Sequence, residues 1–316
     1  MQLTLVVPGL AGVPDEPRPS AAALARLAAR STVAQLAMDL DAATVIESGA
    51  PPQTAVAPLA ARGAGFDPRT DYTLRADPVA FVAGRDDVLL AGRVADLTDE
   101  EARALLAGLN RHFAVDGVVL HAPRADAWFA TARDAVPVTT HPLASIGGPI
   151  EPHLPSGDNG RTWRRWLSEM QMLLHDNPVN VQREAAGLAQ VTGIWISGGG
   201  VMPAALHVDK VILAAPGYAG DVARGLALAA GAPLAAAASF TALRPDASAL
   251  VVTEAAGDAQ ALAAIARDWL DPALAAQDRG ELTHFVVIGD GGGRTLRWQA
   301  GRPSWWQRLR ARATRS

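Results

Sequence analysis

Apolar and polar positions along this chain follow two periods, and their order predicts its elements. Residues 3–7 form a short, almost continuous apolar run, the pattern of a strand buried on both faces. Pro8-Gly9 ends that run, and an alanine-rich helix follows over 20–30 with Ser20 placed to cap it. Residues 77–82 and 88–90 read as strands. A helix over 98–110 is well marked: Thr98 caps it, Glu101 completes a capping box, and Ala102, Leu105, Leu106 and Leu109 make its apolar face. Asp116-Gly117 stands between apolar runs as a hairpin signal, and Trp128-Phe129 belongs to the next strand. Residues 147–160, rich in glycine, proline and polar side chains, read as a loop.

The most informative stretch is 154–200. Trp163, Trp166, Leu167, Met170, Leu173 and Leu174 recur at helical spacing, with Arg164, Arg165, Ser168 and Glu169 on the other face. Asn177-Pro178 stops that helix, because a residue before proline avoids the α region. Asn180 is placed to cap a helix over 181–186 that Gly187 closes. Residues 192–197 alternate as a strand does, and Gly198, Gly199 and Gly200 follow at once. At the carboxyl end of a strand in a parallel sheet, such a triplet is where a ligand loop would sit.

After the triplet, 210–214 is a buried strand and 221–230 a helix closed by Gly231. Residues 249–252 form a strand, 258–268 a helix and 283–288 a further strand. Strands alternating with helices predict an α/β fold, a mostly parallel sheet with helices on both faces. The expected organisation is one discontinuous core, 1–68 with 188–316, carrying an inserted α+β lobe over 69–187.

Composition narrows the function classes. The chain has 316 residues, 49% of them apolar, so a large packed core is affordable and wholesale disorder is excluded. A net charge of −4 gives no general pull toward nucleic acid. The absence of cysteine rules out disulfides and thiolate metal sites. No apolar run is long enough to span a membrane, and MQLTLVVPGL lacks a basic leader region, so a cytoplasmic protein with no membrane or nucleic-acid partner is expected. The basic end, with Trp305, Trp306, Arg308 and Arg310, is expected to dock its tryptophans on the core rather than bind anionic lipid or nucleic acid.

Two sets of residues could carry chemistry. Arg164, Arg165 and Arg183 cluster in the central stretch, and guanidinium forks suit phosphate or carboxylate. With Asn180 as cap, Arg183 would lie in the first turn, where backbone N–H groups also attract anions. The glycine triplet permits close backbone approach. The alternative is a solvated arginine face beside a turn. Thr54 precedes an apolar stretch and either caps the next helix or, if activated, acts as a nucleophile. None of the seven histidines falls in a helical metal-ligand pattern.

The segment HDNPVNVQREAAGLAQVTGIWISGGG, 175–200, resembles a part of archaeal-type cofactor-independent phosphoglycerate mutases, members of the alkaline phosphatase superfamily. The family outline there is HPVN-x-x-R, then G-x-x-P-A-N, then a strand ending G-x-G; this chain has Gln190-Val191-Thr192 in place of Pro-Ala-Asn. The whole chain looks like bacterial proteins described as phosphoglycerate-mutase-like or regulatory. The resemblance implies an alkaline-phosphatase-like core and places Thr54 at the nucleophile position, ahead of Gly65-Phe66-Asp67-Pro68. It also exposes departures. Pro8 stands where the superfamily has a metal-binding Asp, Gly291 follows Asp290 where it has His, and the Asp-x-x-x-His element reads Glu254 to Asp258 without histidine. The expectation is therefore a degenerate or regulatory homologue that binds a phosphorylated small acid or a protein partner, with no cofactor. An active mutase interconverting 3- and 2-phosphoglycerate, holding Mn or Zn, is one alternative; a structural partner protein without a small ligand is the other.

Overall fold

The computed structural model describes residues 1–12, 21–133, 137–142, 146–235, 239–244 and 246–301. Ser20 and the tail tryptophans and arginines lie outside these. In chain order the elements are β1 (Gln2–Val7), α1 (Ala21–Arg30), β2 (Ser31–Leu36), α2 (Leu40–Glu47), α3 (Val56–Gly63), β3 (Tyr72–Ala83), β4 (Val88–Arg93), α4 (Asp99–Phe113), β5 (Val118–Arg124) and β6 (Ala127–Ala132). They continue with α5 (Gly160–His175), α6 (Pro178–Ala185), β7 (Gly193–Gly200), β8 (Val211–Ala214), α7 (Asp221–Ala230), β9 (Leu234–Ala235), β10 (Ser248–Val252), α8 (Ala259–Ile265), α9 (Asp271–Arg279), β11 (His284–Gly291) and β12 (Arg294–Ala300).

The chain divides into two compact units. The described residues of Met1–Gly49, Val208–Ala215 and Ala232–Ser316 form the first, and those of Ala50–His207 and Pro216–Gly231 the second. These boundaries differ from those expected at 68/69 and 187/188. The reason is pairing: β7 hydrogen-bonds to β3, and α3 packs on α7, so both segments fall in the second unit.

The first unit holds a seven-stranded sheet ordered β2-β12-β11-β1-β10-β8-β9. From β11 to β9 the strands run parallel, and β12 and β2 add antiparallel at one edge. This is the predicted α/β class. β1 is central, with Leu3 beside both Ala249 and Phe285, and so must be apolar on both faces. Leu3, Leu5, Leu27, Leu262, Leu270, Phe285 and Val287 share one buried core. Asp258, where the sequence predicts a helix to begin, caps α8 through Ala261 N–H, and the helix runs on through a π turn at Ala266–Leu270 into α9.

The second unit is built on a five-stranded antiparallel sheet, β4-β3-β6-β5 with β7 on the other side of β3. α4 and α5 cover one face, where Leu74, Leu105, Phe113, Trp128, Trp163, Met170 and Ile194 pack. The Thr98–Glu101 capping box is present. Gly117 is not a hairpin turn: it adopts a left-handed conformation (φ 73°) closing a short 3-10 turn after α4, and leads straight into β5. α3 and α7 cross closely, because Gly63 faces the Asp221 carbonyl and Gly225 faces the Leu59 carbonyl.

Candidate functional site

The expected anion site in the central stretch is arranged differently. α6 is capped by Asn177, whose side chain accepts from Val179 N–H, so Asn180 sits inside the helix rather than at its start. The reason is Pro178, which suits the first helical position. Asn180 is buried, donates to the Leu174 and Val191 carbonyls, and accepts from Val191 N–H. Arg183 consequently lies in the last turn, away from the helix N-terminus, and is 1% exposed. Its Nε donates to Ala189 O (2.7 Å), Nη1 to Glu101 (3.0 Å) and Nη2 to Asp96 (2.6 Å). An incoming anion would have to break these pairs. Arg164 and Arg165 are exposed on α5, Arg165 pairing with Glu169 one turn on. The structure therefore does not bring the three arginines together around one point.

Gly198–Gly200 end β7 in the antiparallel sheet, so the switch-point rule of parallel sheets does not apply to them. They are needed for close approach instead. A Cβ at Gly199 would meet Tyr72 Oη at 2.4 Å, and one at Gly200 would meet Ala55 Cβ at 2.2 Å. Burial pushes the Tyr72 hydroxyl up to about 12. Thr54 caps no helix: Ala55 holds the cap position of α3 with no side-chain bond.

At the carboxyl ends of β1, β10 and β11 stand Pro8, Glu254 and Asp290. Asp290 is buried and accepts Gly9 N–H at 2.7 Å, while Glu254 is exposed. Among the described residues no three His, Cys, Asp or Glu side chains gather as metal ligands. A divalent zinc or manganese site needs several N/O donors, so these residues do not fit a two-metal centre.

A cluster that sequence reasoning missed lies wholly in the second unit. Arg75 and Asp77 on β3 share a face with Ser197, which stands opposite Arg75 on β7. Arg93 donates to Asp77 (3.0 Å) and to Asp126 O (2.6 Å), and Tyr218 Oη donates to the other Asp77 oxygen (3.1 Å). Both the Arg75 and Arg93 guanidiniums lie against the Tyr218 ring, at 4.2 and 3.4 Å. Arg124 forks onto Asp221 (3.1 and 2.8 Å) and onto Asp126, and Arg224 pairs with Asp221 from the next turn. Burial works against the charge on Arg93 and Arg124. The Tyr218 and Asp77 groups outweigh it for Arg93, as Asp221 and Asp126 do for Arg124, so both guanidiniums are held more firmly protonated than usual. Ser197 Oγ is buried with no hydrogen-bond partner among the described residues. The signal in the sequence was Arg75-x-Asp77 inside an apolar strand, since a buried charge needs a partner.

Four arginines thus meet three aspartates here among the described residues, with Asp77 and Asp221 fully buried. Such an array either braces the fold or receives an anion.

No protein-family model matches the sequence. Over 211 residues, 60% of the chain, it is 27% identical to the 2,3-bisphosphoglycerate-independent phosphoglycerate mutase of Methanothrix thermoacetophila. The chain is phosphoglycerate-mutase-like in sequence. The match spans about half, 52%, of that relative's length. Among solved structures, the cofactor-independent phosphoglycerate mutase of Thermoplasma acidophilum aligns over 94% of this chain and 89% of its own, at 15% identity and a TM-score of 0.39. A Pyrococcus horikoshii protein aligns over 95% and 87%, at 15% identity and a TM-score of 0.46.

Proposed function

We propose that this phosphoglycerate-mutase-like protein is a degenerate or regulatory homologue that binds a phosphorylated small acid without metal-dependent catalysis. The observation that carries the reading is the Arg75–Arg93–Arg124–Arg224 cluster, in which Arg124 holds buried Asp221 on one side and part-exposed Asp126 on the other. The outer part of that cluster is the Arg124–Asp126 pair, each side chain about one-third exposed (32% and 31%). A phosphate can displace Asp126 there and keep the inner Arg124–Asp221 fork intact. A doubly charged phosphate competes for a guanidinium better than the single carboxylate it replaces. Thr54 is not assigned a reaction.

The test is calorimetric titration with 3-phosphoglycerate and glycerate, together with a mutase assay with and without manganese. The expected result is saturable binding of the phosphorylated acid only, roughly tenfold weaker in Arg124→Gln, and no turnover. Turnover that a chelator removes and manganese restores would revive the enzyme. If no phosphorylated acid binds, a protein partner becomes the better reading.

A further inference from the structure

The second unit contains a half-enclosed cavity of about 110 Å³ between α5 and β7, and none of the clustered arginines and aspartates lines it. Its walls are largely apolar, with Leu154, Leu167, Ile194 and Ile196 among them. Polar side chains enter from two places, His153 on the short turn before Leu154 and a stripe on α5. Arg164, Leu167, Ser168 and Gln171 line it as a stripe at helical spacing along α5. The Ser168 hydroxyl is already engaged, donating to Arg164 O at 3.0 Å. The Arg164 guanidinium and the Gln171 amide have no partner among the described residues. Past Phe81 and Gln171 the cavity continues into an open groove.

An apolar chamber with one unengaged cation at its wall has a defined chemical complement. We infer that this cavity binds a small amphiphilic carboxylate, a short acyl or aromatic acid, with its apolar body against Leu154, Ile194 and Ile196 and its carboxylate on Arg164. Size fits: an engineered apolar cavity of about 150 Å³ holds benzene, so this chamber of about 110 Å³ encloses roughly four carbons, and a slightly longer body reaches into its open side. Charge fits as well, because a guanidinium fork accepts a carboxylate through two parallel bonds. Gln171 then supplies a further donor to the same head group. A neutral ligand would leave Arg164 unused, and a phosphosugar would leave the apolar walls uncovered.

The experiment titrates the full chain with hexanoate and benzoate, and with hexanol as the neutral counterpart. Wild type is expected to bind both acids saturably, one per chain. Arg164→Gln, at an exposed position, should weaken hexanoate roughly tenfold and leave hexanol unchanged. Leu154→Trp should fill the chamber and abolish both. The inference is overturned if wild type binds neither acid, if Arg164→Gln binds hexanoate as wild type does, or if a folded Leu154→Trp retains binding. Should Leu154→Trp fail to fold, Arg164→Gln alone decides. Adding 3-phosphoglycerate to each titration separates the two sites, since its binding should be indifferent to hexanoate.

Discussion

Arg183→Ala should cost stability rather than ligand affinity, and its size follows from the three bonds lost. The Asp96 side chain is 56% exposed, so water replaces that pair and little is lost. Glu101 is 23% exposed and keeps its bond from Thr98 N–H, so its share is about 1 kcal/mol. The Ala189 carbonyl loses a donor in a part-buried place, which costs about 1 kcal/mol more. The buried stem leaves unfilled space worth roughly another 1 kcal/mol. The sum is about 3 kcal/mol, read as a shift in the urea midpoint at constant slope. Arg183→Lys should recover only part, since an ammonium cannot hold three separated acceptors.

Acidity adds a second readout. Burial would raise the Glu101 carboxyl, but the Thr98 N–H and Arg183 bonds outweigh it and hold it below the ordinary 4.5. Its folded pKa is thus below its unfolded one, so its contribution is full above about pH 4.5 and fades as pH falls through the lower folded value. Wild type should therefore lose more stability than Arg183→Ala across that window. A variant with unchanged urea midpoint and weakened phosphoglycerate binding would refute the bracing role and return Arg183 to the ligand.

The remaining predictions concern packing and the cluster. Gly63→Ala and Gly225→Ala each place a Cβ 1.8 Å from a backbone carbonyl, so each should destabilise by about 2 kcal/mol or more, seen as a lower Tm. Thr54→Ala should change unfolding free energy by less than about 0.5 kcal/mol, because its hydroxyl caps no helix; a phosphothreonine found there by mass spectrometry after incubation with phosphoglycerate would overturn the assignment. Tyr218→Phe removes the bond to buried Asp77 while keeping the ring, and a loss of about 1–3 kcal/mol in thermal unfolding is expected.

Local signals were readable where one residue type carries one physical meaning. Thr98 with Glu101 predicts a capping box and makes one; Gly187 and Gly231 close helices in the left-handed conformation, at φ 70° and 60°. The continuous apolar run of β1 predicts its central place in a parallel sheet. β7 was misplaced for the same reason that β1 was placed well. A short apolar strand followed by glycines looks alike in either sheet, and only long-range pairing with β3 assigns it. Two cap residues three apart, Asn177 and Asn180, compete for one helix start, and Pro178 decides for the first. Arg75-x-Asp77 inside an apolar strand marks a buried charge, but its partners are not legible, because Arg75, Arg93, Arg124 and Tyr218 are drawn together from positions up to 143 residues apart.

Arginines distributed in this way separate bracing from binding by how fully each guanidinium is occupied. Arg183 gives three nitrogens to acceptors from its own fold and presents none at the surface. Arg124 also holds two carboxylates, but one of them, Asp126, is part-exposed and can be exchanged for a stronger anion without orphaning buried Asp221. Arg164 holds none, and lines an apolar chamber. Removing a partner from a buried pair is expensive, whereas exchanging a rim partner is nearly free. On that scale an anion meets the least resistance at Arg164, an intermediate one at Arg124, and the greatest at Arg183. Position on a helix cannot reveal this order, because it depends on which carboxylates the tertiary fold has already placed beside each guanidinium.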